Sequence, residues 1–401
     1  MRVLVLSHVY PQPKRPSFGL FVHRRVEHLR RHAEIEVVAP LPTFPLGTLA
    51  GRTPRRCVPR CRDDDGLRIH HPSVPSIPAV GRSIDALAWA ASLVAVLRRV
   101  RRSFPFDLID AHFGYPEGAA AALLGRWFHC PVVITLRGNE LVTCCSPALR
   151  RQLAHALPRA RVIAVSRELA ALAGELGAPS VDVIANGVDR DRFRPGDRDT
   201  ARRELGLPRE RPCIVVPGAF VPLKEQERII QALPLLRAGG HGRSLCIFVG
   251  QHGGAHDRRE FLRRCAASLG VADSVRFAVD RPPDEMPAWL RSADVVASAA
   301  IREGSPNALI EALACGRPVV ATAVGGVPDL VVPGRDGLLL PPAASPEAWA
   351  TALADALARA WDTAAIAARA HARSWARVAD EVAQVWSTAV AQSLSARRRG
   401  A

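Results

Sequence analysis

Glu303 and Glu311 bracket the segment EGSPNALIE, which is otherwise built to turn tightly and then be buried. Ser305 is a good helix N-cap, and Pro306 suits the first helical position, where its missing N–H has no partner to lose. The amides of Asn307 and Ala308 would then project from a helix N-terminus, which together with the helix dipole favours an anion. Gly304 lets a backbone come close. A diphosphate fits such a turn, but a carboxylate beside it would repel it. The two glutamates therefore need partners of their own, and sugar hydroxyls are donors that a carboxylate can accept from. The pattern suits a nucleotide sugar, which carries hydroxyls at both ends of its diphosphate. The plain alternative is one glutamate favouring the helix dipole and one on the surface.

Two further groups belong with this segment. Gly325 and Gly326, in VVATAVGGVPDL, let the chain pass a ligand closely after another apolar run. Lys224, in PGAFVPLK, is one of two lysines among 54 basic residues, the other being Lys14. A chain that uses arginine nearly everywhere places a lysine there as a compact charge suited to phosphate.

These residues need strand ends to hold them. Short β-rich runs alternate with helical stretches along the whole chain, which predicts parallel sheets covered on both faces. The first half reads as strands at 3–6, 35–40, 107–112, 132–136, 161–166 and 181–186, with a long Pro/Arg/Gly-rich loop over 41–82. NGVDRDRFRPGD interrupts the pattern and reads as an interdomain connection. Strands then recur at 213–220, 245–250, 275–279, 295–300 and 319–324, before an Ala-rich helical tail. The predicted fold is α/β, with domains at 1–185 and 186–372 and a last helix within 373–401. In doubly wound folds ligands sit beyond the carboxyl ends of the strands, where Lys224, Glu303 and Gly325 fall. Neither domain has G-x-G-x-x-G after its first strand, which disfavours an ordinary NAD dehydrogenase.

Composition bounds the rest. The 401 residues are 48% hydrophobic and 23% charged, as in a soluble globular protein of two domains. MRVLVL reads as a buried strand, not a leader, and the longest apolar run, IDALAWAASLVAVL, is too short to span a bilayer. That run ends in RRVRR; it reads as a core helix, with a membrane-surface helix as the alternative. Cys57 and Cys61 lack a second ligand pair, so no zinc site and no metal are expected, and the cysteines read as free thiols. The acidic run Asp63 to Asp65 reads as solvated. Residues 1–180 hold 25 Lys and Arg against 13 Asp and Glu, a net +12 of the total +16. This basic half points to an anionic partner: an acidic membrane surface, a phosphate-bearing acceptor or nucleic acid. Aromatic residues make up only 5%, and no recognition motif stands out, so nucleic acid is not expected.

The block EGSPNALIEALACGRPVVATAVGGVPDL resembles the signature of the retaining nucleotide-sugar glycosyltransferases of the GT-B fold, the glycogen-synthase-like and mannosyltransferase-like group of family 4. VIANGVDRDRFRP, VLSHVYPQPKRPSFGLFVHRRVEHLRR, DLIDAHFGYPEGAAAALL, AVSRELAALAGELG and RSWARVADEVAQVW extend the likeness over almost the whole chain. The resemblance implies two facing Rossmann-like domains, an interdomain crevice and a last helix that returns to the first domain. It implies that Glu303 holds hydroxyls of the transferred sugar and Glu311 the ribose diol. Amides from Ser305 to Ala308, with Gly304, Pro306 and Lys224, would meet the diphosphate. Gly325 and Gly326 would pass the donor, Asp280 and Arg281 would lie near the base, and Gly19 would approach from the other domain.

Three departures stand out. Ala219 replaces a frequent arginine five positions before the lysine, with Arg228 a candidate substitute. Arg137 replaces a histidine expected to touch the transferred sugar, so it joins Glu303 and Lys224 as a candidate catalytic residue. Val279 stands where glycine is frequent. The implied activity is retaining transfer of a hexose from a nucleoside diphosphate sugar to a glycan or lipid-linked acceptor, in cell-surface polysaccharide or glycoconjugate biosynthesis. No cofactor is implied, and the implied location is the cytoplasm, peripherally on the inner face of the membrane. The alternatives are a GT-B nucleotide-sugar epimerase and a basic nucleic-acid-binding protein.

Overall fold

The computed structural model describes residues 1–43, 58–76 and 83–400, and it divides into two compact units. The first comprises Met1–Asn186 with Trp375–Ala401, and the second Gly187–Ser374.

The first unit carries strands β1 (Arg2–Leu6), β2 (Glu34–Val38), β3 (Leu41–Thr43), β4 (Cys61–Asp64), β5 (Leu67–His70), β6 (Ser73–Pro75), β7 (Leu108–His112), β8 (Val132–Leu136), β9 (Arg161–Ala164) and β10 (Val181–Val183). Its main sheet has the order β10-β9-β8-β7-β1-β2-β5-β4, parallel except for the β4–β5 pair. The central strands are apolar on both sides because both faces are covered. Leu4 and Leu6 face one helical layer while Val3 and Val5 face the other, the period of two that a strand imposes. The helices Asp85–Ser103, Ala119–Phe128 and Pro147–Ala156 cover the first face. The second is covered by Leu20–Leu29 and the last helix, Trp375–Gly400. That last helix buries Trp375, Val378, Ala379, Val382, Trp386 and Ala389, a stripe at helical spacing.

Residues 41–82 are not one loop. Asp64 pairs with Leu67 across Asp65 and Gly66, which take φ 50° and 79°, so β4 and β5 form a tight hairpin. Positive φ at both central residues is what a primed turn demands and what an Asp-Gly pair supplies. The acidic run therefore sits on an edge hairpin, with Asp64 ion-paired to Arg62. Cys57 lies outside the described residues; the other eight cysteines are free thiols.

The second unit has one parallel sheet: β11 (Cys213–Pro217), β12 (Leu245–Gly250), β13 (Val275–Val279), β14 (Val295–Ser298), β15 (Val319–Thr322) and β16 (Gly337–Leu340). Their order is β13-β12-β11-β14-β15-β16. The chain runs outward from β11 to β13 and then returns to the other side of β11, so β11 and β14 flank the topological switch point. The four-residue β16 is an addition to the five strands read from the sequence. Among the described residues, no helix is long and apolar enough to cross a membrane.

Candidate functional site

The two loops leaving the switch point of the second unit meet. After β11 the chain passes Gly218 and Ala219 and enters a short turn, Pro222–Lys224. After β14 it runs through Ile301 to Glu303 and into the helix Asn307–Ala314. The Ile301 amide donates to the Leu223 carbonyl at 3.1 Å. Lys224 Nζ donates to Glu303 Oε1 at 2.5 Å, with side chains 23% and 15% exposed. Gly218 holds φ 145°, and the stem of Lys224 lies against its Cα: a Cβ there would stand 3.3 Å from Lys224 Cε.

The third strand exit locks onto the same segment. The Thr322 hydroxyl donates to the Ala300 carbonyl, and the Gly326 amide to the Glu303 carbonyl at 3.3 Å. Gly325 takes φ 56°, and a Cβ on it would overlap the Glu303 carbonyl oxygen at 1.5 Å. The close approach expected of this glycine is thus to the backbone of Glu303.

Helix capping differs from the sequence reading. Pro306 occupies the cap with ψ 82° and has no side-chain group to cap with, and Asn307 is the first helical residue. The Pro306 carbonyl accepts from both the Leu309 and Ile310 amides, which proline can do without its own N–H. Gly304, Ser305 and Ala308 lie along this entry, all half-buried. Glu311 is half-buried one turn further on. Burial pushes its carboxyl up to about 7; Arg192 opposes the rise and Asp189 adds to it. Asp189 and Arg192 belong to the segment read as a mere connection, and their charges are the part of this site that sequence reasoning missed.

Glu311 gives a first expectation. Its folded pKa lies above the ordinary 4.5, so the folded chain holds an extra proton between about 4.5 and 7. Stability then falls as pH rises through that window. Glu311→Gln removes this term, so its stability relative to the parent chain is expected to improve by roughly 1–3 kcal/mol between pH 4.5 and 8. Urea unfolding at a series of pH values measures this; a pH-independent difference would remove the shift.

Arg281 and Asp280 lie at the end of β13, two strands from β11. Arg281 is ion-paired with Glu285 at 2.8 Å, and Asp280 accepts from the His252 amide at 2.9 Å. Arg228, the candidate substitute at the Ala219 position, is tied to Glu225 and to the Pro342 carbonyl at 2.8 Å. It is committed to structural contacts.

Gly19 and Arg137 belong to the first unit. Gly19 starts the helix Leu20–Leu29 with φ 74°, and a Cβ would meet the Val9 carbonyl oxygen at 2.3 Å, so its close approach is to its own loop. Arg137 follows β8 but is only 8% exposed. Its guanidinium donates to Asn186 Oδ1 at 2.8 Å and to His112 Nδ1 at 2.9 Å, and lies over the Phe21 ring. Burial, with the Arg137 charge second, pushes His112 down to about 3, so its imidazole is neutral and free to accept. The structure thus places Arg137 among buried groups, with its guanidinium held by Asn186 and His112. At the switch point of this unit, between β1 and β7, the buried Glu117 carboxylate accepts from the His8 amide at 2.9 Å and also contacts the His8 ring. Among the described residues no group of metal-ligating side chains is gathered.

Residues 197–373 match the family model described as glycosyl transferases group 1, and residues 21–192 that of glycosyltransferase family 4. A D-inositol 3-phosphate glycosyltransferase of Frankia alni is 33% identical over 69% of this chain and 72% of its own length. The protein of the same name from Stackebrandtia nassauensis is 30% identical over 85% of this chain and 82% of its own length. Anabaena Alr3699/HepE, solved in complex with UDP and glucose, superposes with a TM-score of 0.72 at 22% identity, over 97% of this chain and 100% of that one. Sucrose-phosphate synthase from Thermosynechococcus elongatus does so with a TM-score of 0.68 at 19% identity, over 100% and 99%. At these identities the structural likeness is one of fold.

Proposed function

Because this chain belongs to the family 4 glycosyltransferases of the GT-B type and is a retaining hexosyltransferase, we propose that it takes its hexose from a nucleoside diphosphate sugar bound at the switch point of the second unit. The observation that carries this reading is the Lys224–Glu303 pair at the entry of the helix Asn307–Ala314. A cation, an anion and a helix N-terminus stand together where a sugar diphosphate needs one partner for each of its parts. On binding, Lys224 turns to the diphosphate together with the helix entry from Gly304 to Ala308. Glu303 turns to sugar hydroxyls, and Glu311 to the ribose diol.

The chemistry follows. The bond between the anomeric carbon and the diphosphate oxygen breaks as the acceptor oxygen bonds to that carbon on the same face. The acceptor proton passes to the departing phosphate. Negative charge grows on the diphosphate in the transition state, where Lys224 and the helix dipole act most strongly. In this reading they supply the countercharge, and no metal or cofactor is needed.

The acceptor is a glycan or a lipid-linked glycan, in cell-surface polysaccharide or glycoconjugate synthesis, and the enzyme works in the cytoplasm at a membrane face. The two relatives named above are D-inositol 3-phosphate glycosyltransferases, which makes a polyol phosphate the first small acceptor to try. Thermal unfolding with UDP-, GDP- and ADP-sugars, each with and without EDTA, tests the donor. One class is expected to stabilise the chain by about 2.7 kcal/mol at a hundredfold excess over Kd, unchanged by EDTA. No stabilisation by any sugar nucleotide would overturn the reading.

A further inference from the structure

Three of the helical segments over one face of the first unit carry an unusual charge pattern. The segments Asp85–Ser103, Ala119–Phe128 and Pro147–Arg159 contain eight arginines and one acidic residue, Asp85, which is buried and hydrogen-bonded to Ser76. A groove of about 270 Å³ opens between these helices. Its floor is apolar, with Ala119, Ala122 and Leu123, and its rim carries Leu87, Arg126, Arg151 and Arg159. Leu87 is 64% exposed, and Trp127, beside Arg126, is 56% exposed with Arg98 lying over its ring.

The helix Asp85–Ser103 explains part of this. One face buries Trp89, Leu93, Leu97 and Val100 in the core. The opposite stripe, Leu87, Ala91, Val94, Arg98 and Arg102, is exposed or half-buried, apolar at its start and basic at its end. A helix with apolar residues on its outward face needs something to lie against. Arg150 is ion-paired with Glu175 at 3.5 Å and so is partly neutralised, but Arg126 and Arg151 are exposed on a face with no exposed acidic neighbour in these segments.

We propose that this arginine-rimmed apolar groove docks the enzyme onto a bilayer of anionic phospholipids. Arginines meet headgroup phosphates, while Leu87, Trp127 and the groove floor reach the boundary with the acyl chains. The charge alone would suit any polyanion. The apolar floor within the basic rim is what selects a lipid surface over a dissolved acidic polymer. This rests only on the membrane placement in the proposed function and is independent of the donor site.

Co-sedimentation of the full chain with phosphatidylcholine vesicles, with and without phosphatidylglycerol, tests it. Binding is expected only with phosphatidylglycerol, and to weaken with salt. Arg126→Ala/Arg151→Ala should weaken it roughly 20–30-fold. Leu87→Ser should weaken it while leaving the salt dependence unchanged. Arg264→Ala/Arg335→Ala, with the same charge loss on the second unit, should not weaken it. Equal binding to both vesicle types, an equal loss in the control pair, or binding of duplex DNA in place of vesicles would overturn the proposal. Stabilisation by a sugar nucleotide, measured on each variant, reports the donor site separately.

Discussion

Gly325→Ala is expected to destabilise the second unit by about 3 kcal/mol or more, the range reserved for changes with a severe, nameable cause. The cause has two parts. Its φ of 56° lies in the left-handed region, which costs an alanine about 1–2 kcal/mol. The new Cβ would also lie 1.5 Å from the Glu303 carbonyl oxygen and 2.6 Å from its carbon. Those are backbone atoms, so no rotamer relieves the overlap, and the strand exits after β14 and β15 must separate. Gly206→Ala isolates the first part, because Gly206 has φ 60° and nothing within 4 Å of the added Cβ. It is expected to lose only the conformational cost. Near 200 residues, 1 kcal/mol moves Tm by about 2–4 °C, so the two variants should separate by several degrees. Equal Tm values for the two would show that the Gly325 contact relaxes freely. Because the moved segment carries Glu303, donor stabilisation should vanish in Gly325→Ala and persist in Gly206→Ala.

Much of this arrangement was legible in the chain. The apolar runs of the central strands are long enough, and separated evenly enough, to show two parallel sheets. The rule that ligands sit beyond strand ends then selected Lys224, Glu303 and Gly325 together. What stayed hidden depended on partners distant in sequence. Arg137 at a strand exit reads as a ligand contact; only folding brings Phe21, His112 and Asn186 around it. Gly325 reads as a passage for a ligand, but its neighbour is a carbonyl 22 positions earlier. The capping rule favoured Ser305 by residue type, whereas the chain bends at Gly304 and Ser305 and the helix starts only after Pro306. The hairpin at Asp65-Gly66 did carry a local signal, overlooked within a stretch rich in arginine and proline. Glu311 was visible as a residue, but its raised pKa depends on burial and on Asp189.

Lys224→Met and Glu303→Gln are each expected to lower kcat by about 10²–10³-fold, the usual loss when one preorganised electrostatic group is removed at developing charge. The more decisive quantity is how the two losses combine. The side chains are in contact at 2.5 Å and mostly buried, so each single change leaves a charge without its partner. Lys224→Met leaves the Glu303 carboxylate beside the incoming diphosphate, and repulsion adds to the lost countercharge. Glu303→Gln leaves the ammonium unpaired, which should hold the diphosphate ground state more tightly and lower KM together with kcat. The double variant lacks both the cation and the repelling anion. Its kcat should therefore fall by clearly less than the product of the single losses. Steady-state kinetics with the stabilising donor, carried through the full cycle, measures this coupling. Multiplicative losses would mean that Lys224 and Glu303, once turned to the diphosphate and the sugar, no longer sense each other's charge, and would remove the coupling.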